Sequence, residues 1–161
     1  MISLKDSAEI YRIGLITGLF EKDDIISWAD KLIETRENVE YEIIEVSLLK
    51  SASKTDIASK LFEVEGIPSM HHIVNVFLGL CSIGYNSNKY NTDFTCTFLY
   101  RLVSNKIDIP IDFDIAKKIH YLSDGYYLAT EGIYGNLEDV CRDLKEFLDK
   151  YTECAEEFYS Q

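Results

Sequence analysis

Three histidines, four cysteines and 28 acidic residues are the groups of this 161-residue chain with most scope for chemistry. A metal site or an acid–base pair would need several of them at matching spacings. His71 and His72 are adjacent. On a helix, neighbouring side chains point about 100° apart, so these two do not easily share one metal ion. His120 and Asp124 stand at i, i+4, the spacing of a polar pair on a helix surface. Cys81, Cys96, Cys141 and Cys154 contain no CxxC pair, so neither a zinc site nor a thioredoxin-like motif is suggested. They read as free thiols of a reducing compartment. No HExxH, GxSxG, P-loop or dinucleotide fingerprint occurs in the sequence. "GLITG" (14–18) lies inside a helical pattern, where glycines serve close packing rather than phosphate binding. No catalytic residue, metal or cofactor is assigned, and the expectation is a protein that is not an enzyme. A small hydrolase would need a polar pocket around His72 or His120.

The surplus of carboxylates is the stronger signal. With 16 basic residues the formal net charge is −12, which repels nucleic acid and anionic membrane surfaces and attracts a basic partner. The stretch "ETRENVEYEIIE" (34–45) concentrates it, with five glutamates and one arginine. Glu34, Glu37, Glu40, Glu42 and Glu45 are therefore the candidate partner-binding residues. The plainer reading is a solvated helix end, which tolerates like charges at small cost. Between 138 and 157 the pattern recurs, with eight acids against three bases. Eleven tyrosines accompany the acids. Tyr85, Tyr90, Tyr121, Tyr126, Tyr127 and Tyr134 fall in or beside polar loops, where tyrosine serves an interface or rims a small core. Trp28 sits at the edge of an apolar stripe and reads as closing the core.

These residues need elements to position them, and the periodicity is mostly helical. Residues 6–19 place Ile10, Ile13 and Ile16 on one face, and Gly18 with "EKDD" ends that helix. Residues 23–36 carry Ile25, Ala29, Leu32 and Ile33 in an amphipathic stripe. Residues 41–50 fit a strand or a helix, and their context favours the helix. In 53–66, Ser53 is a candidate N-cap, Ile57, Leu61 and Val64 share a face, and Gly66 then Pro68 stop the helix. Residues 69–84 are apolar on nearly all sides, as a central buried helix would be. After the polar loop 85–93, Thr92 or Asp93 can cap a helix through Ser104. "NKIDIPID" (105–112) is a connection, and Asp112 or Asp114 starts a helix with Ile115, Ile119, Leu122 and Tyr126. Asn136 caps one long final helix lined by Val140, Leu144, Phe147, Leu148 and Tyr151. The expectation is all-α: one domain, residues 1–161, of seven or eight helices in antiparallel hairpins. The N-terminal "MISLKDSAEI" has no basic region leading into an apolar core, so a cytoplasmic location is expected.

"EIYRIGLITGLFEKDDIISWADKLIE" followed by "YEIIEVSLL" resembles the N-terminal part of small helical proteins encoded beside polymorphic bacterial toxins, including immunity proteins of contact-dependent growth inhibition. The similarity covers roughly the first 65 residues. It implies a cytoplasmic, non-enzymatic protein that binds one cognate toxin and blocks its active site or substrate groove. Many such toxins are basic nucleases, which an acidic inhibitor suits by charge. The alternative is an acidic regulatory or scaffold protein, acting as a homodimer on another protein partner.

Overall fold

The computed structural model describes residues 2–104 and 109–160. Residues 105–108 of the expected connection lie outside the described residues. Among those described there are nine α-helices and no strand: α1 (Leu4–Thr17), α2 (Lys22–Thr35), α3 (Tyr41–Ser47), α4 (Lys54–Glu63), α5 (Met70–Asn86), α6 (Thr92–Val103), α7 (Phe113–Thr130), α8 (Leu137–Asp149) and α9 (Thr152–Tyr159). Residues 41–47, ambiguous by pattern, are helical. The chain divides into two compact units, Met1–Pro68 and Ser69–Gln161.

Side-chain caps start four of these helices. The Ser3 hydroxyl accepts from the Asp6 amide at the head of α1. Ser53 and Asp56 form a reciprocal capping box on α4, satisfying two amides that the helix leaves without partners. Asn91, not Thr92 or Asp93, caps α6, its Oδ1 accepting from the Phe94 amide at 2.8 Å. Asn136 caps α8 through the Asp139 amide. Asp112 is the N-cap residue of α7, its carbonyl accepting from the Ala116 amide, but its carboxylate makes no capping bond and pairs with His71 Nδ1 at 3.0 Å.

In the first unit α1 packs on α4, α2 on α3, and α3 on α4. Ala8, Leu15, Ile25, Ala29, Ile43, Val46, Ile57, Leu61 and Val64 form its core, and Tyr11, Trp28 and Leu32 pack against it half-buried. Trp28 lies on Tyr11, ring centroids 4.7 Å apart. Each of the valine, leucine and isoleucine side chains among them contributes about 1.5–3 kcal/mol by leaving water. The expected Ile10–Ile13–Ile16 stripe is corrected: Ile10 and Ile13 are buried, but Ile16 is exposed and Leu15 takes the core position.

In the second unit α5 packs against α6, α8 and α9, and α7 against α6 and α8. The expected single final helix is two. It breaks at Lys150–Tyr151, which raises the helix number to nine, and no proline or glycine lies there. The cause is on α5. Ser82 Oγ donates to Asp149 Oδ1 at 3.0 Å and lies 2.8 Å from Thr152 Oγ1, while Asn86 Nδ2 donates to the same Asp149 oxygen. Gly79 lets the Tyr151 carbonyl and Ala155 close on the α5 backbone. This tertiary seat outweighs the local preference for a continuous helix.

Candidate functional site

The first unit carries an acidic cleft. Glu40, extended at φ −60° and ψ 141°, accepts at its carbonyl from the amides of Ile43 and Ile44 and so starts α3. Ile43 and Val46 anchor that short helix in the core, which turns Tyr41 and Leu48 outward. The chain leaves α4 through buried Val64 and passes Glu65 to Gly66 at φ +124°. A side chain at Gly66 would be strained, and its Cβ would stand 3.0 Å from Lys5 Cβ. This turn projects Ile67, which is 94 % exposed. Ser3, Leu4 and Lys5, Glu40, Tyr41 and Glu42, and Glu65, Gly66 and Ile67 together line a space of about 540 Å³.

Three acidic residues and one lysine thus line one space. Lys5 is already committed: its Nζ donates to the Phe62 carbonyl at 2.8 Å, lies 5.2 Å from the Phe62 ring centre, and is buried. Among the described residues no ion pair holds Glu40, Glu42 or Glu65. An acidic concavity edged by exposed Tyr41 and Ile67 can receive a cationic side chain while two apolar anchors lose water.

The five glutamates singled out by sequence are distributed unequally. Glu40 and Glu42 line the cleft. Glu34 is exposed on the last turn of α2, and Glu37 is exposed in the connection to α3; neither lines it. Glu45 is engaged elsewhere: Lys60 Nζ lies 2.9 Å from it and 2.6 Å from Glu63. Hydrogen bonds to Glu63 and then Glu45 hold the Lys60 ammonium protonated well above the ordinary lysine range. Glu65 and Ile67 were missed by sequence reasoning. The signal was present in "FEVEGIP", where alternating acids run into a glycine–proline stop.

The remaining reactive groups are engaged separately. His71 pairs with Asp112, and His72 Nε2 lies 3.7 Å from a Glu157 carboxylate oxygen, so the adjacent histidines reach different partners. His120 meets Tyr100 edge-on, with ring centres 6.3 Å apart. Cys81 and Cys96 are buried, and loss of solvent pushes both thiols up, Cys96 to about 12 and Cys81 beyond the ordinary range. Half-buried Cys141 lies 3.3 Å from Thr92 Oγ1, which in turn lies 3.0 Å from the Tyr85 hydroxyl. Among the described residues no group of three or more His, Cys, Asp or Glu side chains could hold a metal ion, and no helix is long and apolar enough to cross a membrane. A second groove, of about 760 Å³ between α1 and α4, is lined by Ile16, Phe62, Arg12 and Lys54. Its cations are matched in place, Arg12 by Glu9 and Lys54 by Glu21. No known family model, curated protein or solved structure matches the chain.

Proposed function

We propose that this chain is a non-catalytic, cytoplasmic binding protein that neutralises a cognate toxin, of the basic nuclease type, by occluding its active site or substrate groove. The observation that carries the reading is the cleft of the first unit. Glu40, Glu42 and Glu65 stand there without ion-pair partners among the described residues, beside exposed Tyr41 and Ile67. Carboxylates in that state attract a basic surface over about a Debye length and give it a place to pair on arrival. Glu34, Glu37 and Glu45 extend the same negative field, Glu45 least because Lys60 matches it. The antiparallel helical-hairpin arrangement belongs to the same proposal; the packing of α2 on α3 and of α6 on α7 supports it.

The test is co-expression with the product of the adjacent gene, capture of the complex, and measurement of association rates against ionic strength. The charge-reversed pair Glu40→Lys and Glu42→Lys should slow association by about tenfold or more at low salt and flatten its salt dependence. Toxicity should return with it. A rate untouched by that reversal removes the cleft from the interface. Capture of no basic protein, or of this chain alone, overturns the toxin-neutralising reading.

A further inference from the structure

The second unit has an outward-facing apolar corner, and it is independent of the cleft. After α7 the backbone turns through Glu131–Asn136 and enters α8. The turn is pinned: the amides of Ile133 and Tyr134 both donate to the Leu128 carbonyl, at 2.9 and 3.2 Å, and the Gly132 amide donates to Ala129. Gly132 at φ +68° and Gly135 at φ +74° hold the left-handed backbone that brackets Ile133 and Tyr134, and neither has a neighbour within 4 Å of its would-be Cβ. Asn136 fixes the far end by capping α8. A corner ordered in this way could turn its apolar residues inward. Instead Ile133 is 65 % exposed and Tyr134 78 %, and Tyr127 and Leu137, which flank the turn along the chain, are exposed too.

Charge selects what could cover this corner. From 121 to 141 the chain contains Asp124, Glu131, Glu138 and Asp139 and no lysine or arginine. Asp139 is matched by Arg142 at 2.7 Å; Asp124, Glu131 and Glu138 stand in no ion pair among the described residues. A second copy would bring the same carboxylates against these, and an anionic bilayer or nucleic acid would be repelled in the same way. We infer that the α7–α8 corner is a docking surface for a cationic protein segment, whose apolar side chains cover Ile133 and Tyr134 while its lysines or arginines face Glu131 and Glu138.

The test uses the full chain and two fluorescent synthetic peptides of equal charge, one alternating lysine and leucine, the other lysine with serine. Binding is read by anisotropy at physiological salt. The lysine–leucine peptide should bind the unaltered chain about tenfold more tightly than the Ile133→Ser/Tyr134→Ser variant, and the lysine–serine peptide should show no such difference. Both changed residues are exposed, so circular dichroism should show an unaltered fold. Glu131→Gln/Glu138→Gln should weaken both peptides and lower the salt dependence. The Glu40→Lys/Glu42→Lys variant should keep the difference, which separates this surface from the cleft. Equal binding of the lysine–leucine peptide to unaltered and Ser-substituted chains overturns the inference. So does a self-association that the serine variant abolishes, or preferential binding to phosphatidylserine vesicles.

Discussion

Alkaline pH should destabilise the second unit through two buried thiols. Cys81 is fully buried, and Cys96 is 4 % exposed. Burial is the first cause of the upward shift at both, and the neighbouring thiols add to it, Cys96 on Cys81 and Cys141 on Cys96. In the unfolded chain a thiol titrates near about 8.5. Above that value the unfolded state releases protons that the fold retains, so stability is complete below about 8.5 and is lost as pH rises toward the folded values. Each thiol then costs about 1.4 kcal/mol per pH unit, or about 2 kcal/mol by pH 10, and the two together about 4 kcal/mol. Urea unfolding followed by circular dichroism, at about pH 7 and about pH 10, reads this loss. Cys81→Ala and Cys96→Ala will each lower stability at neutral pH by leaving a void, but the readout is the change with pH. Tyrosines and lysines also titrate in this range; Cys96 helps push Tyr85 up, so Cys81→Ala gives the cleaner comparison. Each alanine variant should therefore lose about half of the thiol-dependent drop. If all three proteins decline in parallel, the thiols ionise as freely in the fold as outside it, and the account of that core is wrong.

Two further expectations test the α5–α9 seat. A methyl group on Gly79 would collide with the Tyr151 carbonyl oxygen and lie 2.9 Å from Ala155 Cβ. Gly79→Ala should therefore lower the urea midpoint by an amount equivalent to about 1–3 kcal/mol despite the better helix propensity of alanine, and an unchanged or higher midpoint would show that α9 yields freely. Asp149 is held below the usual carboxylate range, first by Lys145 and then by Asn86 and Ser82. Its contribution is present above the unfolded value of about 3.9 and is lost as pH falls through the lower folded value. Acid titration of Asp149→Asn should be flatter than that of the unaltered chain in that window; superimposable curves would sink the assignment.

The same seat shows why some features were readable in the sequence and others were not. The Ser53 N-cap and the Ile57–Leu61–Val64 face of α4 are set within one segment, and both stand as expected. The break between α8 and α9 is set by Ser82 and Asn86, more than 60 residues away, so a periodicity reading of 137–159 sees an unbroken helix. The acidic run fails in the same way on a smaller scale. Counting five glutamates in 34–45 counts ionisable groups, whereas attraction for a partner depends on those left unmatched. Lys60, on another helix, takes Glu45, and a turn built on Gly66 brings Glu65 to the cleft in its place. Two of the three carboxylates of the cleft were thus visible in the sequence. The third depends on the fold, because the packing of α1 and α3 on α4 brings residues 40–42 and 65–67 to one space. A field assembled from separate segments is altered by any change that shifts one of them. A side chain at Gly66, which adds or removes no charge, would displace Glu65 and Ile67 and should disturb the cleft as surely as neutralising a glutamate.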